Sequence, residues 1–234
     1  MICGLQKMTL LDYPGKIACT VFLGGCNFRC PFCHNSELFM GKPEKLMEDE
    51  EFFAFLKSRQ GLLDGVCVSG GEPTLYKNLP EFLARIKELG FLVKLDTNGY
   101  RPEVINNLID KNLVDYIAMD VKNSPAMYAQ TVGLETVDLA SIEESLRILI
   151  GGSVDYELRT TLVRPFHDAT SLQDMGQWIT SVVTGKKPKK LFLQSFVDRD
   201  TVLFSGLSAP ESETTGEFAK ILAPFVGEVT IRNP

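Results

Sequence analysis

The sequence predicts an α/β fold, a partial, open (β/α)6 TIM-like barrel, on three observations. Short apolar runs alternate with amphipathic stretches of helical period along the chain. Such alternation builds a mostly parallel sheet covered by helices. The chain holds 234 residues and six strand–helix units, whereas a closed eightfold barrel typically needs about 250 residues. Apolar residues make up 44% of the chain, enough for one domain over 1–234 with a sizeable core.

Taken in order, residues 17–23 form an apolar run that ends at Gly24-Gly25. Residues 47–59 carry Phe52, Phe53, Phe55 and Leu56 at helical spacing among acids, and Gly61 breaks the pattern before the buried strand around Val66-Cys67-Val68. The unit then repeats. Residues 79–89 are helical with Gly90 as the stop and 91–95 extended; 102–111 are helical and 116–119 extended. Further helices are expected over 141–150, 171–183 and 211–223, with strands over 156–163 and 191–196 and a short last one over 228–232. The run Lys186-Lys187-Pro188-Lys189-Lys190 reads as a solvated loop.

The net charge of -6 argues against a phosphate-tracking surface, so no nucleic-acid partner is expected. No stretch approaches the roughly 20 apolar residues of a membrane span, and the N-terminus lacks the layout of a secretory signal. No membrane partner and a cytoplasmic location are the expectation.

Three of the six cysteines stand in Cys26-Asn27-Phe28-Arg29-Cys30-Pro31-Phe32-Cys33, a spacing that reads as metal binding rather than disulfide cross-linking. Three thiolates can hold three irons of a [4Fe-4S] cube and leave the fourth open to another ligand. An open position usually means chemistry. A zinc site with His34 as fourth ligand is disfavoured, because Cys33 and His34 are adjacent and poorly placed to share one tetrahedral ion. Cys3, Cys19 and Cys67 read as spares, Cys19 and Cys67 as small hydrophobes in strands. His34 reads as support or packing, and His167 as a loop residue.

In parallel α/β sheets ligands bind beyond the carboxyl ends of the strands. There the sequence places the cysteine loop, Ser69-Gly70-Gly71-Glu72-Pro73, Asp96-Thr97-Asn98-Gly99, and Asp120-Val121-Lys122; Arg159 and Gln194 lie in later strands. Each has a plainer reading. Gly70-Gly71 alone makes a tight turn, Asp96 to Gly99 could be turn chemistry, and Asp120 could simply pair with Lys122. Their coincidence at one end of successive strands points to one ligand with a carboxylate, an amino group and a stacking base, as in S-adenosylmethionine.

The C-x3-C-x2-C spacing with an aromatic before the last cysteine resembles the radical S-adenosylmethionine enzymes. Over Asp12-Tyr13-Pro14-Gly15-Lys16 and Phe22 to Asn35 it is similar to the activating enzymes of glycyl-radical proteins, closest to those of anaerobic ribonucleoside-triphosphate reductase. The resemblance implies that Cys26, Cys30 and Cys33 hold the cluster and that Gly70, Gly71 and Glu72 receive the methionine amino group. It implies that Asp96, Thr97 and Asp120 line the methionine end, where a monovalent cation could sit. It puts Lys122 and Arg159 near the ribose and carboxylate, and Phe32 and Gln194 at the adenine. Asp12 would contact the substrate peptide. The implied partners are a glycyl-radical protein, foremost the anaerobic reductase, and a low-potential electron donor such as flavodoxin or ferredoxin. Only Cys67 follows Cys33, so no auxiliary cluster is expected. Pyruvate formate-lyase activation, a radical enzyme with a small-molecule substrate, and an iron–sulfur electron-transfer protein are the alternatives.

Overall fold

The computed structural model describes residues 1–41 and 43–232. Among them eight strands run in chain order across one sheet, β1 (Ile2–Thr9), β2 (Ala18–Leu23), β3 (Gly65–Gly70), β4 (Leu92–Thr97), β5 (Tyr116–Asp120), β6 (Asp155–Leu162), β7 (Lys190–Ser195) and β8 (Glu228–Arg232). The helices are α1 (Asp49–Lys57), α2 (Leu79–Glu88), α3 (Pro102–Asp110), α4 (Pro125–Thr131), α5 (Leu139–Gly151), α6 (Ala169–Val182) and α7 (Ser212–Leu222). From β2 to β7 this is the (β/α)6 order expected of a partial barrel. Among the described strands and α-helices two were not foreseen: β1, which pairs antiparallel with β2, and the short α4.

Contacts cluster into two compact units. The first comprises residues 1–27, 35–97 and 103–118; the second comprises 28–34, 98–102 and 119 onward.

In the first unit β2 pairs parallel with β3, from Ala18 opposite Gly65 to Leu23 opposite Gly70, and β3 pairs parallel with β4. The strands are near-continuous apolar runs because a parallel sheet is covered on both faces; Val66, Cys67, Val68, Val93 and Leu95 are fully buried. The amphipathic faces of α1 and α2 meet through Phe52 stacked on Phe82 at 5.4 Å and Phe53 edge-on to it at 5.3 Å. The Arg85 guanidinium lies 3.7 Å from the Phe53 ring centre, adding a cation–π contact. A capping box between Glu48 and Glu51 starts α1, satisfying backbone donors that the helix itself leaves open.

In the second unit β6, β7 and β8 pair parallel, with Leu162 opposite Ser195 and Gln194 opposite Arg232. Asp168 caps α6 by accepting from Ser171 N at 2.8 Å. The edge of Trp178 on α6 meets Tyr128 of α4 at 5.9 Å, and its ring N–H donates to Glu143 of α5 at 3.0 Å. Arg232 grips the buried Glu157 carboxylate through two bonds of 3.0 and 2.9 Å, while lying 3.4 Å over Phe192. Lys186, Lys187 and Lys189 are exposed in the loop before β7, whereas Lys190, also exposed, already opens that strand.

Candidate functional site

The first unit holds Cys26 and the double-glycine turn. β2 and β3 end level, Leu23 opposite Gly70, so the cysteine loop and the turn leave the sheet side by side. Gly71 N donates to Leu23 O at 2.9 Å and Glu72 N donates to Gly25 O at 2.7 Å. No side chain fits between them. A Cβ on Gly70, whose φ is +131°, would stand 2.2 Å from Leu23 O, and one on Gly71 would stand 2.1 Å from Gly25 O and 3.2 Å from the Cβ of Cys26. Gly25 itself holds φ +97°, a conformation few other residues adopt. The glycine pair therefore presses the turn against the backbone that carries Cys26.

Glu72 fixes that turn from below. Its carboxylate is 1% exposed, and Oε1 accepts from Thr74 N at 3.0 Å, Thr74 Oγ1 at 2.5 Å and Thr97 Oγ1 at 2.8 Å. A buried carboxylate must be hydrogen-bonded to be tolerated, and here the bonds join the ends of β3 and β4. Thr97 takes part as a donor to Glu72. Next to it, Asp96 Oδ2 accepts from Ser69 Oγ at 3.0 Å, and Asp96 Oδ1 accepts from the Lys94 ammonium at 2.5 Å. Lys94 was not singled out in the sequence, since its run reads as a strand. The spacing of Lys94 and Asp96 was the available signal, because residues two apart on a strand share a face.

Asp12 stands in the loop between β1 and β2 and accepts from Thr20 Oγ1 at 2.5 Å. Thr9, just before that loop, pairs with Ala18, so the loop joins β2 at the end opposite the cysteines.

The second unit holds Cys30 and Cys33. Cys33 N donates to Cys30 O at 3.1 Å, and Arg29 N donates to Val132 O at 2.9 Å. Gly133 leaves room for that approach, since a Cβ there would lie 2.2 Å from Arg29 O. Phe28 packs edge-on against Tyr100 at 5.5 Å and Tyr128 at 6.5 Å. Phe32 is buried against Phe166 at 6.0 Å. His34 Nε2 meets Val197 O at 2.6 Å, and its ring packs on Phe196 at 5.6 Å, a supporting role as expected.

Asp120 is held by two cations. Lys122 Nζ donates to Oδ2 and Arg159 Nε donates to Oδ1, both at 2.8 Å. Burial by itself would lower the Lys122 pKa, but the Asp120 carboxylate, and Cys30 after it, hold it raised. A nearby cation favours the thiolate that a metal needs. Gln194 lies on β7 opposite Thr161 and Arg232. His167 lies in the loop between β6 and α6, as expected. It is buried, its Nε2 meets Lys122 O at 2.8 Å, and its Nδ1 accepts from Val163 N at 3.1 Å.

Among the described residues none of the six cysteines forms a disulfide. Among the described residues no three His, Cys, Asp or Glu side chains surround a point that a single ion would fill; the thiols of a cube each meet a different iron. In the first unit the glycine turn leaves no side chain beside Cys26, and in the second the charge of Lys122 interacts with Cys30; each suits a cysteine that binds metal as thiolate. The carboxylates fit a free monovalent cation poorly, since Asp96 and Asp120 each already face side-chain cations. Among the described residues no helix is long and apolar enough to cross a membrane.

Residues 20–166 match the family model described as the Radical SAM superfamily. Over 99% of the chain it is 34% identical to a Methanocaldococcus jannaschii protein named for glycyl-radical enzyme activation, covering 95% of that protein. It is 33% identical to the pyruvate formate-lyase-activating enzyme of Clostridium pasteurianum over 52% of each chain. Among solved structures, a radical SAM methyltransferase from Sphaerobacter thermophilus superposes on 97% of this chain and 68% of its own with TM-score 0.75 at 15% identity, which speaks for the fold.

Proposed function

This chain belongs to the radical SAM superfamily, among its glycyl-radical enzyme activating enzymes, and we propose that its partner is an anaerobic ribonucleoside-triphosphate reductase. The observation that carries the radical chemistry is the seating of the Gly70-Gly71 turn against the loop of Cys26, which only glycine permits. Cys26, Cys30 and Cys33 would hold the [4Fe-4S] cluster, leaving one iron for the amino and carboxylate groups of S-adenosylmethionine. When bound, the two together supply one-electron cleavage of the S–C5′ bond and a carbon radical able to take a hydrogen atom from a glycine Cα.

The protein's own residues bind and orient. Glu72 holds the turn through its threonine bonds and would leave the backbone of Gly70 and Gly71 to receive the methionine amino group. Lys122 and Arg159, fixed on Asp120, present positive charge suited to the cofactor's carboxylate and ribose. Phe32 and Gln194 serve the adenine. Asp12 contacts the partner's glycine-bearing loop. That loop would run along β2, since Asp12 joins the strand at the end away from the cysteines. The Asp12-Tyr13-Pro14-Gly15 stretch supports the reductase over pyruvate formate-lyase. A thiolate-held cluster needs a reducing compartment, which supports a cytoplasmic setting with a flavodoxin or ferredoxin as electron donor.

The test is anaerobic incubation of the cluster-loaded protein with S-adenosylmethionine, dithionite and either the reductase or pyruvate formate-lyase. A glycyl-radical signal on the reductase alone supports the proposal; a signal only on the lyase overturns it.

A further inference from the structure

We propose that Lys94 is a tethered cation of the cofactor site, standing in for a monovalent metal ion at Asp96. The proposal rests on the reading of Asp96 as a cofactor-binding residue. Lys94 and Asp96 lie two apart on β4 and so share a face of the sheet. The Lys94 side chain is 2% exposed, against 16% for that of Asp96. The ammonium thus sits on the protein side of the carboxylate, 2.5 Å from Oδ1 and 3.8 Å from the Cys67 sulfur, and Ser69 donates to Oδ2.

A free potassium or sodium ion is drawn to a carboxylate by uncompensated negative charge. At Asp96 that charge is already matched by a side-chain cation that is covalently tethered and cannot diffuse away. The other carboxylate in question, Asp120, is matched separately by Lys122 and Arg159. Neither keeps the excess negative charge that would recruit an ion. A buried lysine is costly to keep without a partner, so the pair persists as a unit: Asp96 holds Lys94 in place, and Lys94 sets the charge and direction of Asp96.

The test is equilibrium binding of S-adenosylmethionine to the anaerobic, cluster-loaded protein, in potassium chloride and in tetramethylammonium chloride of equal ionic strength. The wild type is expected to bind with less than about a twofold difference between the salts, whereas Lys94→Ala binds about tenfold or more weakly in tetramethylammonium and recovers in potassium or ammonium chloride. A purely structural lysine would give weakness without recovery, and that result overturns the proposal. So does a wild type whose affinity drops about tenfold without a small cation. Should Lys94→Ala not fold, the wild type and Lys94→Arg decide, both expected to ignore the salt, and dependence on potassium in either is contrary. Absence of binding to the wild type in every salt would instead remove Asp96 from the cofactor site, and the role of Lys94 with it.

Discussion

Gly71 lies against Gly25 so closely that a Cβ on Gly71 would stand 2.1 Å from the Gly25 carbonyl oxygen, a contact with backbone that no side-chain rotation relieves. Gly71→Ala is therefore expected to push the cysteine loop off the turn and to cost about 1–3 kcal/mol, the usual range for overpacking. Iron content after anaerobic reconstitution, read beside a thermal melt, checks this. A folded variant with normal iron content would show that the close seating is not needed for the cluster.

Glu72 collects three donors on one oxygen. Glu72→Ala leaves Thr74 N, Thr74 Oγ1 and Thr97 Oγ1 without that acceptor, and an unsatisfied buried group costs about 1–3 kcal/mol. Glu72→Gln keeps an acceptor oxygen in the same place and should lose much less. Urea denaturation of the two variants gives the comparison, and equal losses would show that the bonds to Oε1 are not what matters.

Asp120 separates two cations. Asp120→Asn leaves Lys122 and Arg159 facing each other in a site where both side chains are largely buried, at 14% and 13% exposure. The expected loss is about 1–3 kcal/mol, below the range for fully buried pairs because Asp120 is partly exposed. Binding of S-adenosylmethionine should weaken by about tenfold or more as both cations lose their anchor. Calorimetric binding and melting on one sample separate the two effects.

His167 adds a pH dependence of known sign. Burial holds its pKa below the ordinary 6.5, against the raising effect of the Lys122 and Val163 backbone bonds. Burial lowers that of His34 as well. In both cases the unfolded chain binds the proton more readily, so stability is complete above the unfolded pKa, about 6.5, and is lost as pH falls below it. Protonated His167 also loses the Nδ1 lone pair that accepts from Val163 N. Melting between about pH 5 and 8 should show this fall, shallower in His167→Asn; an unchanged slope would remove His167 from the account.

Much of the fold was legible because parallel strands buried on both faces are apolar runs and the helices between them end at glycines such as Gly90. The cysteine loop and the strand-end polar residues were legible for the same reason, since strand ends are where the sequence turns polar. β1 was not. Gln6, Lys7 and Met8 are exposed in succession, and register shifts interrupt its pairing with β2, so it lacks the alternation of a strand. α4 has seven residues, too few to show a helical period. The three-dimensional partners of Glu72 and of His167 are set by which strands lie side by side, which no local pattern states. Lys94 is the instructive omission: a charge inside an apolar strand is legible, but its meaning waits on knowing that Asp96 faces the same way.

The most direct measurement is the electron paramagnetic resonance spectrum of the reduced, cluster-loaded protein before and after S-adenosylmethionine, with 5′-deoxyadenosine assayed in the same tube. A [4Fe-4S] signal that shifts on addition, followed by 5′-deoxyadenosine release, is the result expected of three thiolates and an open iron, and both should vanish together in Cys30→Ala. A signal unchanged by S-adenosylmethionine, with no 5′-deoxyadenosine formed, would contradict the open iron and leave an iron–sulfur protein of another kind.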